Sequence, residues 1–220
     1  NQSNNLDAVN WTATNYNDSA WPSGPGLLAF ENNTALNPLI KTTLLDPRTP
    51  PPGLSSGHAY YFRTRLVVTN DLAGFAVTAR MRLDDCGVIY INGVEFSRPR
   101  MPLGTITNLS FGGGAPGAGA DADADETFTI PAATLHPGTN LIAVEVHQIN
   151  NASSDIVWGL ALEATRYFTN VTSVVLNEVL ADNGSFTNSD GTITDWVELY
   201  NPSAVPVSLA GYSLSDDPTA

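Results

Sequence analysis

Leu141-Ile142-Ala143-Val144-Glu145-Val146-His147-Gln148-Ile149 is the stretch on which the fold turns. It follows the turn His136-Pro137-Gly138-Thr139-Asn140 and has no apolar repeat at helical spacing. The run therefore predicts a strand, with Ala143, Glu145 and His147 on one face and Ile142, Val144, Val146 and Gln148 on the other. Working outward, Ile156 to Ala164 follows as another strand and Phe128 to Ile130 precedes it. Phe75 to Leu83 alternates Ala79, Met81 and Leu83 with Arg80 and Arg82, and Tyr61 to Val68 is extended as well. Val88 to Ile91 stops at Asn92-Gly93, a strong hairpin signal. From Leu6 to about Pro52 the text is irregular and reads as loops with short edge strands, closed by the breaker cluster Pro47 to Gly53.

Composition agrees with an all-β chain. Only 14% of the 220 residues are charged, too few for a protein that solubilises packed helices, and Thr, Asn, Ser and Gly are abundant. Nine basic and 22 acidic residues leave a net charge of −13, which repels phosphate backbones and anionic lipids, so nucleic acid is excluded as a partner. No apolar run approaches the roughly 18 residues of a membrane span. The lone Cys86 rules out an internal disulfide framework. The expectation is an exported mature fragment, extracellular or at a cell surface. Eight Asn-x-Ser/Thr sequons, at Asn1, Asn10, Asn17, Asn32, Asn108, Asn151, Asn170 and Asn183, suit a secreted chain.

Several separated motifs, in order, resemble a galactose-binding-like jelly-roll module of large secreted bacterial proteins. They are Trp21-Pro22-Ser23-Gly24, Tyr61-Phe62-Arg63, the run Asp84-Asp85-Cys86-Gly87 to Gly93, Arg98 with Met101-Pro102, and Gly138 to Gln148 followed by Ser153-Ser154-Asp155. The resemblance implies a jelly-roll β-sandwich over residues 1–165 that binds carbohydrate, sometimes with a structural calcium ion, or else supports a neighbouring domain. The family pattern places glycine directly after the paired aspartates. Cys86 stands there instead, and a shifted turn or bulge is the expected consequence. After a linker at 166–172, Leu176 to Asn183, Asp195 to Pro202 and Leu209 to Asp217 resemble the start of a lamin-tail domain. That resemblance implies a partial immunoglobulin-like β-sandwich over residues 173–220, with three short strands that do not close a sandwich by themselves.

Candidate site residues follow from residue type and placement. Asp84 and Asp85, adjacent on a strand, point to opposite faces and do not form a glycosidase pair across one bond. Asp84 falls on the face of Arg80 and Arg82, which favours an ion pair, and Asp85 is placed to order the turn. Glu145 and His147 side by side suit either a structural pair near the sheet edge or a ligand for a metal or a sugar hydroxyl. Trp21 and Tyr61, with Trp11 and Tyr60, are candidates to stack on sugar rings or to fill the core. Trp21, Tyr61, Asp85, Glu145, His147 and Gln148 are thus the candidate ligand-binding residues. The low-complexity stretch Gly112 to Ala124 reads as a surface loop running into Asp121, Asp123, Asp125 and Glu126, oxygen ligands suited to calcium or simply a solvated acidic loop. Cys86 reads as a small buried hydrophobe. The function expected is a non-catalytic adhesion or carbohydrate-binding module. The alternative is a subunit of a surface assembly that self-associates, with the incomplete second domain completed by a neighbour's strand.

Overall fold

Alternation along the strands becomes two faces once the strands pair. The computed structural model describes residues 1–32, 34–112, 122–166, 174–203 and 206–215. The chain divides into two compact units, Asn1–Tyr167 and Phe168–Ala220. The first holds β1 (Leu28–Phe30), β2 (Thr42–Thr43), β3 (Tyr60–Val68), β4 (Phe75–Asp84), β5 (Cys86–Ile91), β6 (Val94–Ser97), β7 (Glu126–Ile130), β8 (Gly138–His147) and β9 (Ile156–Arg166). A 3-10 turn at Ala132–Thr134 is its only helical element among the described residues.

The strands form a five-stranded sheet, β2-β1-β9-β4-β7, and a four-stranded sheet, β3-β8-β5-β6. Only β1 and β2 pair in parallel. Tyr60, Ile89, Ile142, Val144 and Val146 of the smaller sheet meet Met81, Leu83, Ile156 and Trp158 of the larger in one apolar cluster, so the unit is a β-sandwich. Each aliphatic side chain fully buried there contributes about 1.5–3 kcal/mol before entropy is counted. Ile142, Val144 and Val146 face this core, as the alternation predicts. β8 lies between β3 and β5, inside the sheet and away from its edge, which corrects the edge position expected for Glu145 and His147.

The irregular N-terminal segment has a definite task. Leu6 and Trp11 pack with Tyr61, Leu141 and Ala143 on the outer face of the smaller sheet, so β8 is covered on both faces. Arg63 latches this cover: its side chain, 1% exposed, donates to Asp18 and to the carbonyls of Trp11, Ala13 and Tyr16. A buried guanidinium needs that many acceptors to offset its lost hydration.

Two local expectations change. Cys86 causes no bulge, because Cys86↔His147 and Gly87↔Val146 continue one register to Ile91↔Ile142, and the irregularity falls instead between Ile89 and Tyr90 against β6. Room for the cysteine comes from Gly112, where an added Cβ would lie 2.4 Å from Cys86 Sγ. Ala122, expected in a solvated loop, is buried against Ala29, Leu36 and Val157.

In the second unit β10 (Val175–Leu180) and β11 (Trp196–Tyr200) form an antiparallel ribbon. Leu209 to Leu214 is not the strand expected. Tyr212 N donates to the Leu209 carbonyl at 3.0 Å, and Gly211 has φ +85°, so the chain turns there.

Candidate functional site

The residues singled out from sequence fall into a closed cluster and an open cleft. The closed cluster sits on the outer face of β8. Tyr90 donates to Glu145 Oε1 at 2.6 Å, and Glu145 Oε2 lies 3.4 Å from His147 Nε2. His147 Nδ1 sits 2.9 Å from the Ser110 carbonyl, which accepts only, so that nitrogen donates. Trp11 stands edge-on to Tyr61 and Tyr90, with centroids 4.9 and 5.6 Å away, and Asn108 Nδ2 donates to the Tyr61 hydroxyl at 3.1 Å. Burial pushes the Tyr61 phenol up to about 12 and, with the Glu145 carboxyl behind it, raises the Tyr90 phenol still further. Tyr61, Glu145, His147 and Gln148 are all 6% exposed or less. They therefore offer no open surface to a sugar, and Trp11 and Tyr60 are core residues rather than stacking platforms.

Asp85, expected to order its own turn, instead binds the segment between β8 and β9: Oδ2 accepts from Ile149 N and Ser153 Oγ, both at 2.8 Å. Asp84 departs from expectation twice. It makes no ion pair, because Arg82 is spent on Asp125 at 2.7 Å and on the Ala122 carbonyl. Its carboxyl also meets that of Asp85 rather than pointing away, since β4 ends at Asp84 and the alternation ends with it. The acidic run gathers no calcium site among the described residues. Asp125 goes to Arg82, Glu126 opens β7 and binds Arg100 at 2.7 Å, and Asp121 lies outside the described residues.

Gly53-Leu54-Ser55-Ser56-Gly57 has the spacing of a nucleophile elbow but lies in turns ahead of β3, with no helix after it. The nearby His58 ring faces the Ser55 carbonyl at 3.1 Å. The Cys86 thiol is fully buried and pushed up to about 12 by burial, with Asp85 adding to the effect.

The open cleft, of about 600 Å³, lies between the two sheets. It exists because β1 pairs with β9 only over Ile156–Trp158, leaving that side of β9 bare from Gly159 onward, opposite the edge strand β3. Phe62, Ile142, Val144, Trp158 and Leu160 form an apolar floor. Trp21, Ser23, Asp18, Thr64 and Arg65 line its polar parts. Trp21 is half-buried and braced edge-on by Tyr16 at 5.8 Å. Asp18 is held between Arg63 at 2.8 Å and Arg65 at 3.0 Å. Burial works against its charge, yet the hydrogen bonds from both arginines keep its carboxyl below the ordinary value. Of the residues expected to bind ligand, Trp21 alone combines exposure with a place in the cleft. Asp18, Thr64, Arg65 and Trp158 were not anticipated, and the alternation of Arg63 and Arg65 on an edge strand was the one signal pointing to them.

No protein-family model matches the chain. No curated protein matches it either. Among solved structures it is similar to parts of larger glycosidases. A glycoside hydrolase family 2 member from Bacteroides cellulosilyticus is 12% identical with a TM-score of 0.40, over 72% of this chain and 19% of that one. A β-glucuronidase from glycoside hydrolase family 2 is 13% identical with a TM-score of 0.40, over 88% of this chain and 23% of that one. A β-glycosidase from Bacteroides vulgatus gives 15% and 0.34, over 70% and 18%. The chain thus spans about a fifth of the length of these proteins.

Proposed function

We propose that the first unit is a non-catalytic carbohydrate-binding module, serving attachment within a larger secreted or surface protein. The observation that carries this reading is the cleft, where the half-buried Trp21 ring and the Asp18–Arg65 pair border an apolar floor. The apolar face of a pyranose packs on an aromatic plane, while its hydroxyls need donors and acceptors at the rim. Asp18, Ser23, Thr64 and Arg65 provide both kinds. The test is a glycan array followed by calorimetry on the best oligosaccharide, with Trp21→Ala as the variant. Binding reduced at least tenfold by Trp21→Ala supports the reading. Absence of binding at millimolar ligand, or binding indifferent to the substitution, overturns it.

A second reading is favoured by the second unit. Leu176, Val179, Val197 and Leu199 pair across β10 and β11 on one face of the ribbon, and each is 40–56% exposed. Such a face, on a ribbon that pairs with no third strand among the described residues, suits completion by a neighbour's strand, as at the start of a lamin-tail-like sandwich, and makes the chain a subunit of a surface assembly. Concentration-dependent mass in light scattering is the expected result, and a strict monomer at high concentration removes this reading.

A further inference from the structure

Three carboxylates remote in sequence meet at one end of the five-stranded sheet. Phe30 of β1 pairs with Ile156 of β9, and Asp84 of β4 pairs with Val157. Glu31 therefore leaves β1 beside the point where Asp155 enters β9, and Asp84 stands on the other side of that strand. Asp84 shares the outer face of the sheet with Val157, which packs there with Ala29, Leu36 and Ala122. An oxygen from each of Glu31, Asp84 and Asp155 lies within 4.8 Å of those of the other two. Asp84 is 2% exposed, and its Oδ2 is buried with no hydrogen-bond partner. The loops that carry the other two carboxylates are tied by Asn32 Nδ2 donating to the Ser154 carbonyl at 3.4 Å.

Like charges this close need a counter-charge or a proton. Burial first, then the charges of Asp85, Asp155 and Glu31, disfavour a charged Asp84 carboxyl, and a cation shared by the three carboxylates relieves that repulsion. Arg82, two residues earlier on β4, is engaged with Asp125, and Arg48, which pairs with Asp46, is near enough to Asp155 to feel its charge. Oxygens that share one calcium ion, each at about 2.3–2.6 Å, lie no more than about 5 Å apart. The spacing of the three carboxylates meets that limit, and an unpartnered buried oxygen is what such an ion satisfies. The geometry points to a divalent-cation site formed by Glu31, Asp84 and Asp155, which takes calcium and clamps β1, β4 and β9 together at this end of the sandwich. It is separate from the acidic run at Asp123 to Glu126 and independent of the sugar-binding reading.

The test is calorimetric titration of the full chain with calcium chloride at physiological salt. Expected is one site with Kd on the order of 10⁻⁴ M or tighter. Asp84→Asn and Glu31→Gln are each expected to weaken binding at least tenfold, and the control Asp123→Asn/Glu126→Gln to leave it unchanged. Glu31 is only partly buried, so Glu31→Gln keeps the test decisive if Asp84→Asn fails to fold. No binding at about 10 mM calcium, well above the range of extracellular calcium modules, overturns the site. So does binding that survives both substitutions, or binding lost in the control.

Discussion

Asp84→Asn, compared with the unmodified chain in chelator, is expected to remove a penalty that grows with pH. The carboxyl of Asp84 has an ordinary value of 3.8 and is pushed up to about 9 by burial and by its acidic neighbours. Between those values the folded chain holds a proton that the unfolded chain has lost. The stability linked to that proton is complete below 3.8 and disappears as pH rises through about 9. The slope is about 1.4 kcal/mol per pH unit, or about 4 kcal/mol from pH 5 to pH 8. Sharing of the proton with Glu31 or Asp155 reduces this, so about 2–4 kcal/mol is expected over that interval. Asparagine carries no charge at any of these pH values. Its amide donates to Asp85 in place of the carboxylic hydroxyl, and the change in that hydrogen bond adds a constant offset of about 1 kcal/mol or less. Urea unfolding of both proteins from pH 5 to pH 8 isolates the effect, because titrations not coupled to Asp84 cancel in the difference. The variant should gain on the parent steadily as pH rises. A difference constant with pH, or one moving in the parent's favour, would refute the reasoning.

Arg63→Met leaves Asp18 and three backbone carbonyls without their buried partner and is expected to cost about 3–5 kcal/mol in unfolding free energy. Limited proteolysis should then cut between residues 11 and 21, whereas Arg65→Met, whose side chain is half exposed, should cost about 1 kcal/mol or less; equal costs would contradict the latch. In Gly87→Ala the new Cβ would sit 2.6 Å from the Glu145 carbonyl oxygen, forcing β5 away from β8 at a cost of about 1–3 kcal/mol in denaturant melts. Cys86, fully buried with its thiol pushed up to about 12, should react with a thiol reagent only as fast as the chain unfolds, and rapid labelling of the native protein would contradict that.

How much of the candidate site was legible depended on the range of the interactions that build it. Trp21 stood out as an aromatic among turn residues because that signal is local, whereas the partners of Asp85, Ile149 N and Ser153 Oγ, come from a distant segment and were not legible. The cleft around Trp21 was not legible. It depends on β1 being too short to cover β9 beyond Trp158, and strand length in that irregular region leaves little trace in residue type. Glu145 and His147 were placed on the correct face, yet their burial follows from Leu6 and Trp11 folding over β8 from more than a hundred residues away. The acidic run left a cation site and a solvated loop both open, and only the fold shows that Arg82 and Arg100 reach across from other segments to pair with Asp125 and Glu126.

What the sequence determined by itself was the longer strands of the first unit and, within them, the face most side chains take. Period-two alternation and turn chemistry act within a few residues, and Asn92-Gly93 reverses the chain wherever the hairpin sits. Only the tertiary structure decided which strands are neighbours, and with that the chemistry of the acidic side chains. Arg82 and Asp84 lie two positions apart on one strand, so alternation alone suggested partnership. Pairing of β4 with β9, and of β9 with β1, instead carried Asp84 under the Ala29–Val157 layer beside Glu31 and Asp155 and left Arg82 to Asp125. Coulomb interactions follow distance in space, and among positions 31, 84 and 155 that distance is set by sheet order alone.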